Sequence, residues 1–328
     1  MRAIGLFSDG RLDWVEVPKP QPAGRDLLVH VKAVAVNPVD VKQLAPNAGA
    51  GPRILGYDVS GVVEAIGPEV TLFQPGDAVY YAGSIDRPGG FSEYHLVDER
   101  IVGPKPRTLS FAESAALPLT TITAWEGLFE RMRVPLQNAQ GSVLIIGAAG
   151  GVGSMAIQLA RLAGLTVIAT ASRPDSTEWV RQRGAHLVAN HFEPLEPQLK
   201  SLGFERVAYI FCLTPVAPYW DAMMSLLAPE GQVCLLLPPG DVALAPLWAL
   251  SGSLHAESMF VRPRFHTPTM IHQHHLLARV SALVDQGVLH TTLAEQFAPI
   301  SPETLTMVFQ RIRQGHVRGK LAVSGFDS

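Results

Sequence analysis

The chain has 328 residues, 47% of them hydrophobic, and a formal net charge of −3. These values predict a globular protein with room for two domains, and the lack of a basic block excludes nucleic acid as an expected partner. The first residues are too short for a signal segment and no run of 18 apolar residues occurs, so we expect a soluble, cytoplasmic protein with no membrane partner.

Residues 1–120 are predicted to be rich in β-structure. Short apolar runs are separated by proline and glycine turns, which is typical of a small barrel or a curled antiparallel sheet. The runs are 27–36, 61–66, 78–82 and 93–97.

From Ser110 the pattern becomes helical. Ser110 and Glu113 fit a capping box at the start of a helix. Pro118 is expected to interrupt the helical pattern, and residues 123–132 predict a second helix.

The stretch 143–173 is the most informative part of the sequence. It predicts a strand, a glycine turn, a helix and a second strand, at 143–146, 147–153, 154–164 and 165–170. Glycines three residues apart allow a sharp turn, the approach of a pyrophosphate and close packing of helix on strand. A tight turn without a ligand is the alternative, but the flanking strand and helix favour a dinucleotide site. The predicted cofactor-binding residues are Gly147, Gly150, Gly151, Val152 and Gly153.

The residues after the second strand select the cofactor. Ser172 and Arg173 stand where an NAD-binding protein carries an acidic residue for the ribose 2′-hydroxyl. A hydroxyl and a guanidinium suit a 2′-phosphate, so NADPH is predicted over NADH. The alternative is that Ser172 caps a helix and Arg173 is a solvated loop residue.

The rest of the chain predicts a doubly wound α/β sheet followed by a return to mixed structure. Helices are expected at 176–183 and 222–227, and strands at 209–213 and 232–237. In the tail, helices are expected at 270–286 and 305–314, and a strand at 319–323 that could complete the N-terminal sheet. The predicted domains are 1–120, 121–264 and 265–328, the last returning to the first.

Cys212 and Cys234 are the only cysteines, and both lie in apolar runs that predict strands. Two cysteines cannot form a four-thiolate zinc site, so we expect buried, reduced thiols. The histidine-rich patch of His266, His272, His274 and His275 has no carboxylate or thiol close in sequence, and it is predicted to be a helix surface.

The order of several motifs resembles the medium-chain dehydrogenase/reductase superfamily. The motifs lie at 37–40, 56–61, 75–79, 119–125, 147–153 and 319–320. Within the superfamily the chain resembles the quinone oxidoreductase branch, and more narrowly bacterial proteins of the zinc-type alcohol dehydrogenase-like group. The resemblance implies a GroES-like β-rich catalytic domain and a Rossmann domain, with the cofactor in the cleft between them and a homodimer formed through the Rossmann sheet edge.

The resemblance also implies that the protein works without zinc. The zinc branch takes its catalytic ligands from a cysteine, a histidine and a second cysteine, whose places hold Asn37, Tyr57 and Leu119. A quinone or an activated alkene accepts hydride without a Lewis acid, unlike a simple ketone. The implied function is NADPH-dependent reduction of a quinone or enone. The alternatives are an activated C=C reductase, a zinc alcohol dehydrogenase and a non-catalytic cofactor-binding protein of the lens-crystallin kind.

Particular residues receive roles from the resemblance. Asn37 and Tyr57 are expected to line the nicotinamide and acceptor space as catalytic residues, Asn37 also contacting the cofactor. Tyr57 is either a proton donor or oxyanion partner or an aromatic wall, and Asn37 could equally be a turn residue before a proline. Thr123 is expected to reach the cofactor or to be a helix N-cap. His191 and Lys320 are further cofactor-binding candidates, His191 near the adenosine phosphate. The acceptor is expected to depend on loops at 44–52, 85–89 and 251–266.

Overall fold

The computed structural model describes residues 1–43 and 51–326, so most of the predicted loop at 44–52 lies outside the described residues. The chain forms two compact units. The β-rich unit comprises Met1–Ile122 and Phe260–Ser328, and the parallel-sheet unit comprises Thr123–Met259. These divisions lie at 122/123 and 259/260, beside predicted boundaries at 120/121 and 264/265, and the domain roles stay predictions.

The N-terminal part of the chain is built from short strands and short helices. They are β1 (Arg2–Leu6), β2 (Leu12–Glu16), β3 (Asp26–Val36), α1 (Pro38–Lys42), β4 (Arg53–Ile54), β5 (Asp58–Ile66), β6 (Ala78–Tyr81), β7 (Tyr94–Asp98), β8 (Val102–Pro104), α2 (Phe111–Ala115) and α3 (Pro118–Trp125). The capping box of α2 is confirmed, since Ser110 N–H donates to Glu113 and Glu113 N–H donates to Ser110 Oγ.

The predicted interruption at Pro118 is confirmed, since α2 ends at Ala115 and a new helix, α3, begins at Pro118. The predicted start of that second helix at residue 123 is wrong, because a proline suits the first position of a helix, which does not need a backbone N–H. A π-helix, Glu126–Arg131, follows α3 where a single α-helix over 123–132 was expected. Thr123 lies inside α3, so the reading of Thr123 as an N-cap is also wrong.

The parallel-sheet unit alternates strands and helices. Its elements are β9 (Ser142–Ile146), α4 (Gly151–Ala163), β10 (Thr166–Thr170), α5 (Pro174–Gln182), β11 (Leu187–Ala189), α6 (Leu195–Ser201), β12 (Val207–Cys212), α7 (Trp220–Leu226), β13 (Leu227–Leu235), α8 (Ala245–Ala249) and β14 (Ser253–Ala256). The strands are parallel and run in the order β11-β10-β9-β12-β13-β14, which confirms the doubly wound sheet. Cys212 and Cys234 are buried and free of disulfides, as predicted.

The tail returns to the β-rich unit. It forms α9 (Val261–Phe265), α10 (Ile271–Asp285), β15 (Leu293–Phe297), α11 (Pro302–Gln314) and β16 (Lys320–Ser324). β16 pairs antiparallel with β3, and Leu321 lies opposite Val36. The prediction that the last strand completes the N-terminal sheet is therefore confirmed. This pairing places Lys320 beside the end of β3.

The histidine patch is only partly a helix surface. His272 and His275 are exposed on α10, as predicted. His274 instead lies with Nδ1 2.6 Å from the carbonyl oxygen of Val102 and its ring edge-on to Phe73. None of the described helices is long and apolar enough to cross a membrane.

Candidate functional site

The glycine turn after β9 has a backbone that a side chain would obstruct. Gly147 has a φ of 83°, in the left-handed region, and its N–H donates to Thr170 Oγ1 at 3.0 Å. A Cβ on Gly147 would lie 2.5 Å from Thr214 Cγ2. The hydrogen bond holds the turn to the end of β10, and the turn packs closely against the residues that follow β12.

Two further glycines in the turn differ in what surrounds them. A Cβ on Gly153 would lie 2.4 Å from the carbonyl oxygen of Ala148, so α4 could not pack as closely. A Cβ on Gly150, the N-cap of α4, would meet no described atom nearer than 3.7 Å. Gly151 and Val152 follow in the first helical turn, where backbone N–H groups lack intrahelical acceptors. Open space in front of such amides fits a pyrophosphate.

Ser172 and Arg173 follow β10, as the sequence predicted. Arg173 is the N-cap of α5, and its N–H donates to Ser176 Oγ at 3.1 Å. The reading of Ser172 as a helix cap is therefore wrong. The Arg173 side chain is 34% exposed and its Nε lies 3.3 Å from Asp175 Oδ1. A partly exposed guanidinium at this position fits a 2′-phosphate.

His191 follows β11, the strand beside β10. Thr170 and Ala189 are paired in parallel, so Arg173 and His191 both follow the carboxyl ends of adjacent strands. His191 Nδ1 is buried and has no hydrogen-bond partner among the described residues. Burial, and after it the charge of Arg173, lowers the pKa of His191. A neutral ring with an unused nitrogen is able to bind part of a nucleotide.

A buried polar network lies at the end of β3 in the β-rich unit. Lys320 Nζ donates to Asp58 Oδ2 at 2.8 Å, to the carbonyl oxygen of Val36 at 3.1 Å and to Asn37 Oδ1. Asn37 Nδ2 donates to the same Asp58 oxygen at 2.9 Å. The three hydrogens of the ammonium thus have three protein acceptors. The predicted binding of Lys320 to a cofactor stays a prediction, and it requires one of these bonds to be exchanged.

Asp40 connects this network to the next strand. It accepts hydrogen bonds from the backbone N–H groups of Asn37 at 2.7 Å and Gly56 at 3.1 Å. Burial raises the pKa of Asp40 to about 7, against the lowering effect of these bonds and of Lys320. Asn37 is also the N-cap of α1 before Pro38, so its turn role and its place in the network are both present.

Tyr57 is 2% exposed and contacts Gln43, which the sequence did not identify, and Phe260, which lies in the predicted acceptor loop 251–266. Its Oη lies 3.3 Å from Gln43 Nε2, and its ring meets Phe260 edge to face with centroids 5.6 Å apart. Burial raises the pKa of Tyr57 above its ordinary value, so the phenol is protonated at neutral pH. A protonated phenol is able to donate a hydrogen bond, or a proton, to a carbonyl oxygen.

The residues at the zinc-ligand positions do not fit a zinc ion. Leu119 offers no donor atom, and the side-chain oxygen of Asn37 faces the ammonium of Lys320, which would repel a metal cation. Among the described residues, no group of three or more histidine, cysteine, aspartate or glutamate side chains is placed to hold a metal.

Comparisons with known proteins agree with this architecture. Two family models match the chain, the alcohol dehydrogenase GroES-like domain at residues 23–107 and the zinc-binding dehydrogenase domain at 151–247. A zinc-type alcohol dehydrogenase-like protein of Staphylococcus aureus is 42% identical over 334 aligned positions, covering 99% of this chain and 100% of the relative. Quinone oxidoreductase of Mus musculus is 36% identical over 200 positions, 59% of each chain.

Among solved structures, a candidate zinc-dependent alcohol dehydrogenase from Rhizobium etli is 47% identical, with a TM-score of 0.96 and coverage of 100% of this chain and 99% of that one. Identity and coverage at this level, together with the GroES-like and Rossmann units, establish the family. The chain belongs to the medium-chain dehydrogenase/reductase superfamily and is an oxidoreductase of that superfamily.

Proposed function

We propose that this protein is an NADPH-dependent reductase that transfers hydride to a quinone or a similar conjugated carbonyl acceptor without zinc. The observation that carries the proposal is the buried network of Lys320, Asn37 and Asp58 at the end of β3. The ammonium group of Lys320 already neutralises the carboxylate of Asp58. The other two positions that hold zinc ligands in the zinc branch are Tyr57 and Leu119. The zinc in the names of relatives therefore has no matching donor set here.

A conjugated acceptor explains how the chemistry proceeds without a Lewis acid. NADPH, when bound, supplies the hydride, and the conjugated carbonyl of the acceptor carries the developing negative charge. The chain then has to hold both partners, exclude water and offer a hydrogen bond or a proton. Tyr57 is the candidate for that last role, and Asn37 would hold the neighbouring Asp58 in place through its hydrogen bond.

The cofactor roles divide by position along the sheet of the parallel-sheet unit. The glycine turn and the first amides of α4 would bind the pyrophosphate, while Ser172 and Arg173 would bind the 2′-phosphate. His191 would lie against the adenosine phosphate. Thr123, 5% exposed within α3, is kept as a candidate for the nicotinamide end.

The acceptor class is supported by the likeness to mouse quinone oxidoreductase. The cofactor needs a direct test, because a solved NAD-dependent alcohol dehydrogenase is 26% identical to this chain with a TM-score of 0.84. The test is a panel of quinones and enones assayed with NADPH and with NADH on chelator-treated protein. We expect quinones to oxidise NADPH in preference to NADH. No turnover with any acceptor would refute the proposal, and analysis of the product would distinguish carbonyl from C=C reduction.

A further inference from the structure

Gln43 connects Arg53 to the hydroxyl of Tyr57. Arg53 Nη2 lies 2.7 Å from Gln43 Oε1 and 3.3 Å from the main-chain oxygen of Gln43. A guanidinium only donates hydrogen bonds, so the amide atom that faces Arg53 must be the oxygen. The amide nitrogen of Gln43 therefore faces Tyr57 Oη, 3.3 Å away. Because an amide nitrogen also only donates, Tyr57 is the acceptor in this contact.

An oxygen that accepts from Gln43 keeps its own hydrogen for another partner. The reverse bond, from the Tyr57 hydroxyl to Gln43 Oε1, spans 3.5 Å, and that oxygen already accepts from Arg53 at the shorter distance. The edge-to-face contact with Phe260, at an interplanar angle of 74°, restrains the tyrosine ring. The geometry thus holds the phenol by its oxygen and its ring. Among the described residues, Gln43 Oε1, at 3.5 Å, is the only acceptor of the Tyr57 hydroxyl hydrogen.

We propose that Gln43 and Arg53 are positioning residues that leave the Tyr57 hydroxyl hydrogen directed to the carbonyl oxygen of the acceptor, so that Tyr57 is the proton donor. The inference rests on the proposed function. The acceptor is reduced by the hydride equivalent of NADPH, which is oxidised to NADP⁺. The Oη–H bond breaks, the proton bonds to the carbonyl oxygen, and the electron pair stays on Tyr57 Oη. The phenolate then takes a proton from water.

Electrostatics agrees with this assignment. Burial is the main influence on Tyr57 and raises its pKa, as do the charges of Asp40 and Asp86, whereas the Gln43 hydrogen bond and the charge of Arg53 lower it. The phenol is therefore protonated at neutral pH, and its two neighbours stabilise the phenolate that remains after transfer.

A double-mutant cycle tests whether Gln43 acts through Tyr57. We expect Tyr57→Phe to lower kcat about a hundredfold and Gln43→Leu to lower kcat about tenfold, each with a smaller change in KM. In the Tyr57→Phe background, Gln43→Leu should change kcat by less than about twofold, because the group it positions is already gone. Gln310→Leu, on the exposed face of α11 in the same unit, is the matched control and should leave kcat unchanged.

Two results would overturn the inference. One is an undiminished kcat in Tyr57→Phe, and the other is an equal loss from Gln43→Leu in both backgrounds, which a purely structural role would give. A readout without turnover is the alkaline titration of Tyr57 followed by the ¹³Cζ resonance of labelled tyrosine. Gln43→Leu should raise the midpoint, and an unchanged midpoint would refute the contact. Failure of the wild type to reduce any acceptor would refute the proposed function itself, along with the role of Tyr57 as its proton donor.

Discussion

Arg173 is the residue on which the predicted choice of cofactor depends. Its side chain is partly exposed after β10 and pairs with Asp175 at the surface. We expect Arg173→Ala to raise the KM for NADPH by about tenfold to a hundredfold, the worth of one or two hydrogen bonds to a charged phosphate. The KM for NADH should change little. Arg181→Ala, an exposed arginine on α5, is the control, and equal effects on both cofactors would contradict a 2′-phosphate contact.

At the residue scale, local patterns were predictable and long-range contacts were not. The spacing of Gly147, Gly150 and Gly153 predicted the turn because it is set by consecutive backbone geometry. The contact of Lys320 with Asn37 and Asp58 joins residues 262 or more positions apart, and it exists only because β16 pairs with β3. Separate motifs pointed to Lys320, Asn37 and Asp58, but no sequence signal showed that these three residues are in contact, and none pointed to Gln43.

The turn between β9 and α4 makes a prediction that separates folding from binding. Gly153→Ala places a Cβ against the oxygen of Ala148 and should lower both thermal stability and cofactor affinity. Gly150→Ala meets open space in the protein, at a backbone that an alanine tolerates, since its φ is −72°. It should leave Tm nearly unchanged while weakening NADPH binding by about tenfold, because the methyl group occupies the space of the pyrophosphate.

Calorimetric binding and thermal unfolding of both variants check this difference. If Gly150→Ala bound NADPH with wild-type affinity, the open space at the turn would not be the pyrophosphate site.

The π-helix after α3 creates a pH-dependent element in the parallel-sheet unit. Arg131 Nε lies 2.8 Å from Glu257 Oε2, and Arg131 also pairs with the buried Glu126 at 3.5 Å. Burial, and after it the charge of Glu126, raises the pKa of Glu257. A carboxyl whose pKa is raised in the folded state stabilises the fold below its ordinary pKa, and that stability is lost as pH rises through the raised value.

The wild type should therefore lose unfolding free energy as pH rises from about 5 to about 9, because Glu257 ionises in the folded state only near the raised value. Glu257→Gln should remove that loss, as measured by urea unfolding across the range. The exposed Glu303→Gln is the control. An unchanged pH dependence in Glu257→Gln would show that Glu257 is ionised throughout.

Elements were predictable where burial leaves a clear apolar pattern in the sequence, and they were missed where it does not. β9 is buried along its whole length, and the predicted strand at 143–146 differs from it by one residue. β14 was missed because its Ser-Leu-His-Ala sequence is short and mostly exposed. The π-helix was missed because π-helices are rare and occur mostly as single turns within a helical stretch, and 126–131 lies in a stretch that the sequence predicted as one α-helix.

The open edge of the parallel sheet carries the prediction of a homodimer. β14 ends the strand order with β13 as its neighbour among the described strands, and Leu254 is exposed on it. An exposed strand edge offers backbone groups for pairing with a second copy across a two-fold axis. Sedimentation should give twice the chain mass, and Leu254→Pro, which removes a donor, should shift it toward the monomer. A wild type that sediments as a monomer at micromolar concentration would refute the dimer.

For the whole molecule, the most direct measurement combines zinc content with turnover on one sample. Zinc in the purified protein is quantified by mass spectrometry, and the protein is then treated with a chelator. NADPH oxidation with 9,10-phenanthrenequinone is followed before and after this treatment. Hydride transfer without zinc predicts substoichiometric metal and the same turnover before and after treatment. One zinc per chain, whose removal abolishes turnover and whose return restores it, would contradict the account.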